Sequence, residues 1–237
     1  MNGWEFHPAR DHDLHGIELH RILQREGGLA ESVTRLLWWC GLRIALPLWH
    51  RLQVTSRQNL PAEPPFVLIA NHTSHLDALV LASLLPAGWR DDVFPVAARD
   101  AFFEDRTTAA FADWFLNALA IRRCSARAHD LEEMRNRLTS GRAVFIVFPE
   151  GTRSRTGRIQ PFHGGIGRLV AQTDVPVVPC HLDGCFRALG PGRRFVRPVK
   201  ITLKIGLPIR FTAVPDDRAG WDAIAQRLRE AVEELAP

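Results

Sequence analysis

Lysine is almost missing from this chain: Lys200 and Lys204 are the only two, so a formal charge of +4 and a pI near 9.3 rest almost wholly on arginine. Without a Gly-Lys-Ser or Gly-Lys-Thr step, the run Gly164-Gly165-Ile166-Gly167 lacks the ending of a P-loop, and no dinucleotide-type strand precedes it. Cysteine is scarce as well. Cys40, Cys124, Cys180 and Cys185 have neither zinc nor redox spacing, which points to free thiols in a reducing compartment. Cys180-His181-Leu182-Asp183-Gly184-Cys185 gathers metal-ligand residue types, yet no metal is expected there. The arginines are not interleaved with aromatics as single-stranded nucleic acid would require, whereas phosphate-bearing substrates or an anionic membrane surface fit them equally. No apolar run reaches the roughly twenty residues of a spanning helix. The amino terminus lacks the basic-then-apolar order of a secretory signal, and there are no repeats or low-complexity tracts.

What is present suffices for one sizeable domain: 237 residues, 46% of them hydrophobic. The division expected is an N-terminal helical, membrane-associating segment over residues 1–53 and a main domain over 54–237. Met1 to Gly28 is polar and His-rich, with a short helix expected from Asp13 to Glu26. Leu29 to Leu52 then turns apolar and tryptophan-rich, interrupted by Arg43. Tryptophans favour the headgroup region and Arg35, Arg43 and Arg51 would reach anionic lipid, so a segment lying in the interface is expected; Pro47 should kink or end it. The alternative is an ordinary helix packed on a sheet.

The chemistry concentrates in Asn71-His72-Thr73-Ser74-His75-Leu76-Asp77. Phe66 to Ala70 reads as a buried strand and Leu76 to Leu85 as a helix, so His72 falls in a strand-to-helix turn, where α/β sheets place their sites. Around such a turn Asp77 folds back onto the imidazole, fixes its tautomer and leaves the other nitrogen to take a proton. Spacing alone fits equally a helix cap with no catalytic use. No Gly-x-Ser-x-Gly elbow surrounds Ser74.

A second stretch, Phe148-Pro149-Glu150-Gly151-Thr152-Arg153-Ser154, follows another apolar run, Ala143 to Val147. Asn-His-x-Ser-x-x-Asp followed by Phe-Pro-Glu-Gly-Thr-Arg-Ser resembles the glycerolipid acyltransferases, the family of the 1-acylglycerol-3-phosphate acyltransferases, over roughly Val54 to Gly206. The resemblance implies that His72 is the general base deprotonating an acceptor hydroxyl, that Asp77 orients it, and that Glu150, Gly151, Thr152 and Arg153 hold the acceptor's phosphate. The residue types suit an anion: Gly151 admits close backbone approach, Thr152 offers a hydroxyl and Arg153 a planar fork, while Glu150 is expected to hold Arg153 or an acceptor hydroxyl. The family's Gly-x-x-Phe-Ile-x-Arg block corresponds to Asn117-Ala118-Leu119-Ala120-Ile121-Arg122-Arg123. Arg123 is kept as a second phosphate clamp, whereas Asn117 and Ala120 depart. Val175-Pro176-Val177-Val178-Pro179 matches a family strand near the acyl donor, and His163 stands where the family's Phe-Lys-x-Gly has lysine.

Further along the chain, strands are expected at Val93–Ala98, Ile121 and Val199–Ile205. Helices are expected at Thr107–Asn117, Ala126–Thr139, Ile166–Gln172 and Trp221–Leu235, with a basic loop carrying Arg187, Arg193, Arg194 and Arg197. Membrane phosphate or a phosphopantetheine carrier would suit that loop. The fold expected is α/β, a mixed, mainly parallel sheet flanked by helices. The activity implied moves a fatty acyl group from acyl-CoA or acyl carrier protein, the co-substrate, to the free hydroxyl of a lysophospholipid, 1-acylglycerol-3-phosphate giving phosphatidic acid, or to an amino-acid-based lysolipid. It needs no cofactor or nucleic acid and implies a cytoplasmic-face, peripheral or monotopic location. Two rivals stay open: a hydrolase using Ser74 or a metal at His72, His75 and Asp77, and a non-catalytic membrane-binding module.

Overall fold

The computed structural model describes residues 29–98, 119–121, 128–193 and 195–237. The expected helices at Asp13–Glu26 and Thr107–Asn117 lie outside these residues, as do Asn117, Arg123 and Cys124.

Seven strands form one sheet in the order β1-β7-β6-β2-β5-β3-β4: β1 Gln53–Thr55, β2 Phe66–Ala70, β3 Val93–Ala98, β4 Leu119–Ile121, β5 Val144–Val147, β6 Val177–Asp183 and β7 Thr202–Ile205. From β6 through β2, β5 and β3 to β4 every pairing is parallel. β7 pairs antiparallel with β6, and β1 runs parallel to β7, so the sheet is mixed and mainly parallel. β2 is its middle strand and is completely buried. Side chains alternate across it: Phe66, Leu68 and Ala70 enter one core, Val67 and Ile69 the other.

Six α-helices of the described residues cover the two faces: α1 Leu29–His50, α2 Leu76–Ser83, α3 Ala128–Ser140, α4 Gly165–Val170, α5 Cys185–Leu189 and α6 Arg218–Glu233. α1, α2 and α5 contribute to the core under Phe66, and α3, α4 and α6 to the one under Val67. The last helix begins where Asp217 accepts a hydrogen bond from the Gly220 N–H at 2.8 Å, an N-cap. Its buried stripe, Ile224, Leu228 and Val232, repeats at helical spacing.

α1 packs on the sheet through one side and leaves apolar side chains outward on the other. Trp39, Leu42 and Leu46 are buried, each worth about 1.5–3 kcal/mol of burial. On the outward side Leu37, Ile44, Leu48 and Trp49 are 57–77% exposed. Pro47 neither ends nor breaks the helix, which runs on to His50. Of the arginines expected to reach lipid, Arg35 is buried and pairs with Asp91 at 3.1 Å, and the exposed Arg43 donates to the Leu85 carbonyl at 3.1 Å. No helix of the described residues is long and apolar enough to cross a membrane.

Candidate active site

Parallel pairing of neighbours brings three chain exits to one edge of the sheet. β2 lies in register with β5 at Ile69↔Val147 and with β6 at Ala70↔Cys180, so the segments after all three strands emerge together. They are the turn Asn71–His75, the loop Phe148–Ser154 and the Gly184 corner into α5. Asn71 joins the first to the third. Its side chain donates to the Leu182 carbonyl at 2.9 Å and accepts from the Leu182 N–H at 2.8 Å, acting as one more rung of the ladder. Gly184 has φ +96°, and a Cβ there would lie 2.2 Å from the Lys200 carbonyl, so only glycine makes this corner.

Asp77 sits in the first turn of α2 with no exposed surface. Its Oδ2 accepts from His72 Nδ1 at 3.0 Å, from the Thr73 N–H at 2.6 Å and from the Ser74 N–H at 2.7 Å. Three donors and a helix N-terminus compensate the carboxylate for lost water. With Nδ1 donating to Asp77, Nε2 is the nitrogen that takes a proton. The imidazole is 15% exposed and stacks on Phe148 with centroids 4.1 Å apart. Cys185 is buried beside Asp77. Burial, then the charge of Asp77 and a hydrogen bond to it, push this thiol well above its ordinary range, so it remains a neutral donor. Ser74 is completely buried, donates its hydroxyl to the Leu189 carbonyl at 2.7 Å and accepts from the Leu76 N–H at 3.1 Å. That geometry fits a turn brace rather than a nucleophile. Among the described residues no three His, Cys, Asp or Glu side chains are grouped to hold a metal.

The β5 loop grips the main chain of His72 from both sides. The His72 N–H donates to Glu150 Oε1 at 2.8 Å, and the His72 carbonyl accepts from the Ser154 N–H at 2.7 Å. Sequence reasoning missed this use of Glu150, because nothing in local spacing says which strand lies beside β2. Burial pushes Glu150 up to about 7, against the pull of hydrogen bonds from His72 and Gln160, and the nearby Asp77 charge adds to the rise. Gly151 takes φ +69° with the ring of His163 over it, where a Cβ would meet Cδ2 at 3.2 Å. The residue replacing the family's lysine therefore lies against the loop after β5. Arg153 is within electrostatic reach of the turn: burial first, then Arg153, then His72 lower His75 to about 4, against Asp77. His75 is thus neutral around pH 7. His72, Asp77, Glu150, Gly151, Thr152 and Arg153 are brought to one edge; Arg123 is outside the described residues.

A family model described as Acyltransferase matches residues 51–183 of the chain. The mouse 1-acyl-sn-glycerol-3-phosphate acyltransferase alpha is 28% identical over 186 residues, 77% of this chain and 62% of that protein. The 1-acyl-sn-glycerol-3-phosphate acyltransferase of Cocos nucifera is 31% identical over 189 residues, 78% of this chain and 56% of that one. The chain thus spans about six tenths of the length of these curated relatives. In fold it is similar to the crystal structure of the 1-acyl-sn-glycerophosphate acyltransferase of Thermotoga maritima, with a TM-score of 0.66 at 24% identity, covering 91% of this chain and 85% of that one.

Proposed function

Because the chain belongs to the Acyltransferase family, we propose that it moves a fatty acyl group from acyl-CoA or acyl carrier protein to the free hydroxyl of a lysophospholipid. The acceptor is 1-acylglycerol-3-phosphate and the product phosphatidic acid. One observation carries the reading: His72 Nδ1 is held on Asp77 at 3.0 Å, at the edge where the Glu-Gly-Thr-Arg loop emerges. In this mechanism Nε2 of His72 takes the proton of the acceptor hydroxyl as its oxygen attacks the thioester carbonyl. The tetrahedral intermediate collapses, the carbon–sulfur bond breaks, and the thiolate takes the proton back from the imidazolium. The buried carboxylate of Asp77 stabilises that imidazolium and holds its tautomer throughout. Arg153, joined by Arg123, grips the acceptor phosphate with charge-assisted hydrogen bonds. Donor activation lies in the thioester itself, so the proposed reaction calls for no cofactor.

The outward apolar face of α1 supports a peripheral or monotopic seat on the cytoplasmic face of the cell membrane, where both lipid acceptor and acyl product reside. The test is direct. Purified protein is offered acyl-CoA and acyl carrier protein donors against a panel of lysolipids, with products read by mass spectrometry. Phosphatidic acid formed from 1-acylglycerol-3-phosphate is the expected result. Release of free fatty acid at a rate independent of acceptor would replace the reading with a thioester hydrolase.

A further inference from the structure

Between α5 and β7 the chain presents an apolar tip to water. Phe195 is 84% and Val196 41% exposed, and the exposed Arg193 and Arg197 flank them. Arg187, on α5, is neutralised by Asp183 at 3.0 Å, whereas among the described residues no ion pair is formed by Arg193, Arg197 or Lys200. The tip is built rather than loose. The Arg193 N–H donates to the Gly190 carbonyl at 3.1 Å, its guanidinium to the Arg187 carbonyl at 2.9 Å, and the Arg197 N–H to the Ala188 carbonyl at 3.0 Å.

Its base is bonded to both functional parts of the molecule. His50 at the end of α1 donates from Nδ1 to the Val199 carbonyl at 3.1 Å and accepts from the Ile201 N–H at 3.0 Å. Leu48 and Trp49, 77% and 57% exposed, are therefore close to the foot of the same loop. At its other foot the Leu189 carbonyl accepts the Ser74 hydroxyl of the catalytic turn at 2.7 Å.

We propose that Arg193, Phe195, Val196 and Arg197 form a second membrane contact, separate from α1. Phe195 and Val196 enter the headgroup region of a bilayer rich in anionic phospholipid while Arg193 and Arg197 bind lipid phosphates. An aromatic tip between cations fits a lipid surface better than an acidic carrier protein, which would match the charges and leave Phe195 in water. With α1 as the other contact, the loop orients the turn that carries His72 toward the lipid face. The proposal rests on the reading that the acceptor is a membrane lipid.

Flotation of the full chain with vesicles tests it, comparing phosphatidylcholine alone with phosphatidylcholine containing phosphatidylglycerol. F195S/V196S is expected to weaken binding to the anionic vesicles by roughly 10–100-fold, and R193Q/R197Q by roughly tenfold or more with little change on phosphatidylcholine. Both variants should keep their thermal midpoints and their turnover of a short-chain lysophosphatidate dissolved as monomer. Vesicle affinity unchanged in both variants, or a parent chain that does not float at all, overturns the proposal. So does a raised KM for acyl carrier protein in R193Q/R197Q with vesicle binding intact, which assigns the loop to the carrier. Vesicle binding that depends on Phe195 in a chain showing no acyl transfer would leave this contact standing and remove the enzymatic reading instead.

Discussion

The turn after β2 and the loop after β5 meet at one sheet edge but reach their shapes by opposite means. The β2 turn is closed on itself: the imidazole of His72 and the amides of Thr73 and Ser74 all point at one carboxylate oxygen of Asp77. The β5 loop has no such centre. It is shaped by a left-handed glycine, by the His163 main chain bonded to the Pro149 carbonyl at 2.9 Å, and by its grip on His72. A self-closed turn can be read from spacing, since its partners lie within a few residues. A loop that takes its form from its neighbours cannot.

If the turn supplies the base and the loop supplies binding, their variants should separate in kinetics. His72→Ala comes first, with turnover lowered by roughly two to four orders of magnitude and the fold intact; steady-state acyl transfer checks it, and unchanged rates would remove His72 from the chemistry. Asp77→Asn should cost roughly ten- to a thousandfold in turnover. Turnover equal to the parent's would reduce Asp77 to a helix cap. Arg153→Ala should raise the acceptor KM by roughly ten- to a hundredfold. The donor KM should stay unchanged, and a loss shared equally by both substrates would argue against a phosphate clamp.

The smallest effect concerns stability, where turn and loop differ in sign. Glu150 is held at about 7 against an ordinary 4.5, so the folded chain keeps a proton that the unfolded chain releases. The stability it contributes is complete below about 4.5 and is lost as pH rises through about 7. His75 is held at about 4 against 6.5, so its share is present above 6.5 and is lost as pH falls toward 4. Glu150→Gln should therefore gain on the parent in thermal midpoint above pH 7 and match it in acid, and His75→Asn should gain only in acid. Midpoints recorded on both sides of neutrality decide it; parallel curves for parent and variant would mean that the site does not hold these groups off their ordinary values.

Much of the architecture was legible because buried parallel strands are short apolar runs. Phe66–Ala70, Val93–Ala98 and the run ending at Val147 read directly as strands. β1 escaped notice: Gln53–Thr55 is a half-exposed edge with no apolar pattern, defined by its pairing with β7. β6 runs past Pro179 to Asp183, so Cys180 to Asp183, which looked like part of a ligand cluster, are consecutive strand positions pointing to alternate faces. α1 was hard to read because it is apolar on both its buried and outward sides, which hides the periodicity that tells a packed helix from an interfacial one. Within the site, the pairing of His72 with Asp77 followed from spacing. The roles of Asn71, Ser74, Cys185 and the Glu150 clamp did not, since each depends on a partner 78 to 115 residues away or on a strand order no local pattern encodes.

The double tether on the backbone of His72 has an evolutionary price tag of its own. Under the proposed function, the segment that would select the lipid also sets where His72 stands, so preference and speed would not drift independently in this protein. Attempts to retune it for another lysolipid by single changes between Glu150 and Ser154 should slow the reaction even when the new headgroup fits. Exchanging the whole strand-to-loop cassette, with its matching turn, is the route that would spare the rate.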